Sequence, residues 1–167
     1  MTKIPIHSVV VLDNIRSTFN VGSIFRTADA LGIKEIILGG TTPTPIDRFG
    51  RNRKDISKVS LGAEKNIPWQ YQESVLLILR KLKKDGYKVI AIEQSPKSVD
   101  YKKIKISPAN KRDGIKMVFV IGAEVDGVSK QILKLADYIA EIPMLGGKES
   151  LNVSVAFGVA LFRILNI

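Results

Sequence analysis

The sequence predicts an α/β fold: a mostly parallel sheet with helices on both faces. Three observations predict it. Runs rich in Val and Ile alternate along the chain with stretches whose apolar residues recur at helical spacing. The first of these runs leads into a helical stretch and then a second run, the strand–helix–strand unit that parallel pairing requires. The 167 residues are also 45% hydrophobic, enough to bury the core of one domain.

Taken in order, SVVVLDN (8–14) reads as a buried strand that ends in polar residues. In 21–32, Val21, Ile24, Phe25, Ala28 and Leu31 fall on one helical face, and Gly32 supplies the stop. KEIILGG (34–40) is a second strand. The stretch 39–53 is a long loop rich in Gly, Pro and Thr, of the kind that carries function in compact domains. A short helix and then a short strand around 67–69 are expected within 60–71. A helix follows over 73–86, ending at Gly86, and strands over 87–95 and 117–124. Ser129 caps a short helix over 129–136. The last strand is 137–143, and the last helix is 150–165 with Ser150 as its cap. The segment 96–116 has the weakest periodicity. No repeat, low-complexity tract or linker divides the chain, so a single domain over 1–167 is expected.

Composition excludes several function classes. The absence of cysteine rules out disulfides and thiolate metal sites, and a single histidine, His7, makes a metal centre unexpected. His7 precedes or opens the first strand and reads as a surface residue. No apolar run is long enough to span a membrane, and no signal sequence is recognisable, so a cytoplasmic protein is expected. The formal net charge of +10 points to a polyanionic partner. The excess is local: 47–58 holds five Lys/Arg against two Asp, and 96–116 holds seven against two. Nucleic acid is the expected partner. Aromatic residues make up only 7% of the chain, which argues against a stacking platform for single strands.

Common motifs are missing. No G-x-G-x-x-G follows the first strand. LGGKES (145–150) is not a phosphate-binding loop, because Ile142 and Glu149 stand where Gly and Ser/Thr are needed. With one His, no Cys and no G-x-S-x-G, a Ser–His or Cys–His nucleophile is excluded. What remains are three polar, Gly-bearing loops after strands: DNIRSTFNVGSIFRT (13–27), IGAEVDGVSK (121–130) and IPMLGGKESLNVSVA (142–156). In a parallel sheet they should gather at the carboxyl edge, where ligands bind. Gly122, Gly127, Gly146 and Gly147 would let backbone approach a ligand, and Glu124 is expected to be buried among the loops. The third loop has the donors and acceptors to suit a neutral ring such as adenine.

Together these stretches resemble the SpoU (TrmH) family of RNA ribose methyltransferases, within the SPOUT superfamily. The first motif matches at Asn14, Asn20, Gly22, Arg26, Thr27, Ala28, Asp29 and Gly32. The second matches at Gly122, Glu124, Gly127 and Ser129. The third matches at Ile142, Pro143, Met144, Gly146 and Ser150 to Ala156. Two departures stand out: Val125, where many members carry Gly, and Arg163, where the family has an acidic residue.

The resemblance implies a deep trefoil knot in the C-terminal part, an exception to the rule against threaded chains. It implies S-adenosyl-L-methionine bound by the knot's loops, here through Ile92, Glu93, Gly122, Gly127, Ile142, Met144, Gly146, Ser150 and Leu151. It implies a homodimer through the last helix, with Phe157, Leu161 and Phe162 shared between subunits. The reaction implied is methyl transfer to a ribose 2′-OH of RNA, with Arg26, Asn20, Glu124 and Asn152 at the catalytic centre. Asn20 would hold the ribose or its phosphate. Since the chain starts at the first catalytic strand, no separate RNA-binding domain is expected, and Arg16, Arg48, Arg51, Arg53 and Lys54, together with the basic segment 96–116, become the candidates for gripping RNA. Transfer RNA stands slightly ahead of ribosomal RNA as substrate. The rival reading is a non-catalytic RNA-binding or ribosome-assembly protein that keeps the fold.

Overall fold

The computed structural model describes residues 6–105 and 114–167. Seven strands form one sheet: β1 (Ile6–Asp13), β2 (Glu35–Gly39), β3 (Trp69–Gln72), β4 (Lys88–Ile92), β5 (Val99–Asp100), β6 (Ile115–Ile121) and β7 (Tyr138–Glu141). Their order is β3-β2-β1-β6-β4-β7-β5, and every pair is parallel. The helices are α1 (Thr18–Ala30), α2 (Lys54–Ser60), α3 (Ala63–Asn66), α4 (Val75–Lys84), α5 (Lys130–Leu135) and α6 (Val153–Leu165).

The strands read as continuous apolar runs because both faces of the sheet are covered. Val10, Leu12, Ile36, Leu38, Phe119 and Ile121 point to one face, where they meet Ile24 and Phe25 of α1, Ile56 of α2, Ala63 of α3 and Phe157 and Leu161 of α6. The alternate residues, Val9, Val11, Ile37, Val89, Val118 and Val120, point to the other, under Val75 and Leu79 of α4 and Ile132 of α5. The period-2 alternation thus assigns two cores, one on each side of the sheet.

Local chemistry sets the ends of α1. Ser17 caps it, its Oγ accepting from the Asn20 N–H at 3.2 Å. Gly32, at φ +66°, closes it, with the Ile33 N–H reaching back to the Ala28 carbonyl at 3.0 Å. Gly22 lets a neighbouring helix come close. A Cβ there would lie 2.8 Å from the Ile56 carbonyl oxygen and 2.9 Å from Val59 Cβ, so this glycine admits the backbone of α2 rather than a ligand.

Several expectations shift. The basic stretch 47–58 is not all loop: its second half is α2, anchored by the fully buried Ile56, whose one-residue apolar signal is masked by charge. The strand expected around 67–69 begins at Trp69. Pro68 has no N–H to give, so the ladder to β2 opens with Ile36 opposite Trp69, while Ile67 ends α3 and is buried. The short β5 and a 3-10 turn at Tyr101–Lys103 lie in the weakly periodic segment, and 106–113 of that segment fall outside the described residues. Asn152, not Ser150, caps α6. Phe157 and Leu161 are fully buried within one chain and cannot be shared between subunits, whereas Phe162 is 41% exposed.

The glycines give a direct test of this packing. Gly22→Ala should destabilise the fold by about 1–3 kcal/mol, because it forces α2 off α1. Gly158→Ala, whose Cβ would meet only Thr27 Cγ2 at 3.6 Å, should be neutral or stabilising by up to about 1 kcal/mol through helix propensity. Urea unfolding of the two variants checks the contrast.

Candidate functional site

Strands β1, β6, β4 and β7 are consecutive neighbours in the sheet, and all run the same way. Their carboxyl ends therefore deliver four loops to one edge. Hydrogen bonds then tie three of these loops together. The Glu124 carboxylate, in the loop after β6, accepts from the Arg16 N–H at 3.1 Å, the Ser17 N–H at 3.2 Å and the Asn20 side-chain amide at 3.0 Å. Asn20 Oδ1 in turn accepts from Asn152 Nδ2, in the loop after β7, at 3.2 Å. Asn152 Oδ1 accepts from the Ser154 N–H at 2.9 Å and the Ser154 hydroxyl at 2.7 Å, which caps α6. The relay Glu124–Asn20–Asn152–Ser154 thus spans the first, second and third motif.

Glu124 is exposed rather than buried. The α1 entry segment supplies donors from one side only, and the other side faces the cleft described below. Partial burial alone would push its carboxyl up, but the hydrogen bonds from the Asn20 amide and the Arg16 and Ser17 backbone outweigh it and hold the pKa below the ordinary value. Asn20 differs in the opposite sense from the expectation that it holds ribose: it is 5% exposed, and both ends of its amide are engaged by protein. It is the bridge of the relay.

Beside the relay lies a cleft of about 320 Å³. It is lined by Ile92 at the end of β4 and Glu93 and Gln94 beyond it, by Gly122 to Val125 and Gly127 after β6, and by Ile142, Met144, Ser150, Leu151 and Asn152 after β7. Eight of the nine expected cofactor residues line it; Gly146 is exposed farther out on its loop. Ala140, Val153 and Ala156 also line it and were not expected, although they continue the periods of β7 and α6. Glu93 serves the loop first: its Oε2 accepts from the Val128 N–H at 2.8 Å, and its Oε1 from the Gln94 N–H at 2.8 Å. Gly127, at φ +65°, makes room for that carboxylate, since a Cβ would lie 2.2 Å from Oε2. A Cβ on Gly122 would lie 2.2 Å from the Gly127 carbonyl carbon. Gly127 thus admits the Glu93 carboxylate from the neighbouring loop, Gly122 lets its own loop fold back on itself, and both also line the cleft.

Asn14, at φ +58°, joins a further loop to this edge: its Oδ1 accepts from the Thr41 N–H at 3.0 Å, linking the ends of β1 and β2. Arg26 stands apart from the relay. It is exposed on α1 six residues beyond Asn20, about 9 Å along the helix axis, and no hydrogen bond or ion pair among the described residues engages its guanidinium. Arg16, Arg48 and Lys54 are exposed; Arg51 and Arg53 pair with Asp47 and Asp55 at 2.8 Å and 3.3 Å. Such surface pairs contribute little to stability. No described helix is long and apolar enough to cross a membrane.

The depressed pKa of Glu124 has a sign that can be tested. A group whose folded pKa lies below its unfolded value stabilises the fold above the unfolded pKa and loses that contribution as pH falls through the folded one. Wild type should therefore be more stable than Glu124→Gln at pH 7, and the gap should shrink steadily as pH drops below the ordinary carboxylate range. Thermal melts of both proteins across that range measure it.

The SpoU rRNA Methylase family model matches residues 7–162. A 23S rRNA (guanosine-2'-O-)-methyltransferase of Pseudomonas aeruginosa is 32% identical over 157 residues, covering 94% of this chain and 58% of that protein. The chain spans little more than half the length of the curated relatives it matches. Among solved structures, an AdoMet-bound rRNA methyltransferase from Sinorhizobium meliloti superposes with a TM-score of 0.81 at 30% identity, over 94% of this chain and 55% of that one. The A. aeolicus TrmH/SpoU tRNA modifying enzyme superposes with a TM-score of 0.79 at 27% identity, over 96% of this chain and 75% of that one. With the three motif loops joined at one cleft and a family model matched across nearly its whole length, the chain belongs to the SpoU methylase family.

Proposed function

We propose that this protein transfers a methyl group from S-adenosyl-L-methionine to a ribose 2′-OH of structured RNA. The observation that carries the reading is the cleft itself: the loops of the second and third motif form its walls, and the relay from Glu124 fixes them against α1, which carries Arg26. The lining suits the cofactor. Ile92, Ile142, Met144 and Leu151 offer apolar contact for an adenine ring, while the loop backbones offer donors and acceptors for its edge. The AdoMet-bound relative from Sinorhizobium meliloti supports the assignment. A rival reading, an RNA-binding protein without catalysis, leaves a walled cleft with no occupant.

Bound there, the cofactor supplies a methyl group on a sulfonium as the electrophile. The chain supplies position. The Arg26 guanidinium offers a planar fork of donors and no acceptor, so its part is to grip and orient. Held bidentately on an RNA phosphate, it orients the ribose and favours loss of the hydroxyl proton to water. Glu124, with its depressed pKa, is a weak proton acceptor at neutral pH; its part is to hold Asn20 and the α1 entry. His7 opens β1 at the opposite end of the sheet and takes no part. Asn152 meets the cleft directly while capping α6.

The proposal extends to assembly and threading. Val155, Val159 and Phe162 recur at i, i+4 and i+7 on α6 and are all at least 40% exposed, an apolar stripe suited to a second copy of the chain. The C-terminal loops are proposed to form the trefoil knot of the family. The substrate is transfer RNA or ribosomal RNA, with transfer RNA the first to test.

Methyl transfer from labelled S-adenosylmethionine to separated tRNA and rRNA fractions tests the reading. Wild type should label one fraction. Arg26→Lys should lose at least about 100-fold in kcat/KM with cofactor affinity unchanged. Near-normal turnover by Arg26→Lys would defeat the bidentate role. Absence of both label and cofactor binding in the wild type would favour the non-catalytic rival.

A further inference from the structure

The loop between β2 and α2 ends in an ordered hairpin that presents an aromatic ring to solvent. Asp47 builds its tip. Its Oδ1 accepts from the Phe49 N–H at 2.8 Å and the Arg51 N–H at 3.0 Å, and its Oδ2 accepts from Arg51 Nε at 2.9 Å. The Gly50 N–H donates back to the Asp47 carbonyl at 2.9 Å, and Ile46 bridges Asn52 across the stem. Gly50, at φ +76°, makes the turn. So much local order would be expected to bury an apolar residue, yet Phe49 at the tip is 64% exposed. The Arg48 and Arg51 guanidinium carbons stand 4.8 Å and 4.9 Å from the centre of its ring.

We propose that Phe49 is a stacking platform for an unpaired nucleobase of the RNA, with the flanking guanidinium groups taking the adjoining phosphates. The inference rests on the RNA reading above and adds a recognition residue outside the cleft. The chemistry fits: an aromatic face amid cations is what a splayed-out base and its phosphate require. Arg51 is held by Asp47, whereas Arg48 has no hydrogen bond or ion pair among the described residues and can swing from the ring to a phosphate. The hairpin also leaves the same sheet edge as the cleft, next to the Asn14–Thr41 link, and leads into α2, which packs on α1. The low aromatic content hid this feature, because the platform is one ring on a preformed turn.

Phe49→Ala, Phe49→Leu and Phe49→Trp test it, with equilibrium binding to unfractionated tRNA and to total rRNA between about 50 and 200 mM salt. All three changes lie at an exposed tip, so their melting should match wild type. Loss of the ring in the Ala and Leu variants should weaken binding about ten-fold without altering the salt dependence. The Trp variant should bind at least as tightly as wild type, and its added fluorescence should be quenched by RNA. The stack is overturned if the Leu or Ala variant binds like wild type. It is also overturned if their loss comes with a flatter salt dependence, which would make the ring only a prop for the two arginines. A wild type that binds neither RNA overturns the RNA reading instead.

Discussion

Glu124 reaches from the loop after β6 to the entry of α1 and accepts hydrogen bonds from two backbone N–H groups and one side-chain amide. The rest of the site hangs on that reach. Asn20, pulled to Glu124 by its Nδ2, presents its Oδ1 to Asn152, and Asn152 then has one end of its amide free to start α6. Each amide has its orientation set by having a donor partner on one end and an acceptor partner on the other. A carboxylate does this better than a neutral side chain, since hydrogen bonds to a charged acceptor are the strong ones. The depressed pKa of Glu124 is the same fact seen from the proton's side.

The relay can exist only because the sheet is parallel where it matters. β1, β6, β4 and β7 lie side by side and point the same way, so loops that are more than a hundred residues apart in sequence, such as those of Asn20 and Asn152, meet at one edge. The loop after β6 is held from the other side by Glu93, which requires Gly127 to lack a Cβ. Two carboxylates of opposite outlook thus grip one loop: Glu93 ties it to β4 and Glu124 ties it to α1. The cleft is the space left between these anchors.

Much of this was legible in the sequence. The alternation of Val- and Ile-rich runs with helical spacing placed six of the seven strands, and the three Gly-bearing loops pointed to the correct edge. The failures have physical causes. α2 hides because one buried Ile56 among charges leaves no period to read. The glycines 22, 122 and 127 signal close approach, but sequence cannot say what approaches; the structure brings the α2 backbone to Gly22, the loop's own backbone to Gly122 and the Glu93 carboxylate to Gly127. Asn20 looked like a ligand-binding amide, yet its partners come from residues 124 and 152, pairings that no local pattern announces. The burial of Phe157 and Leu161 depends on where α6 docks, which its own periodicity leaves open.

The hydrogen bond between Asn20 and Asn152 predicts that the two residues act as one unit in preparing the cleft for reaction. A double-mutant cycle on kcat/KM with Asn20→Ala, Asn152→Ala and the double variant tests it directly. If the relay is the working unit, the second substitution should add little to the loss caused by the first. If the two losses simply multiply, the residues act independently and the relay does not organise the site.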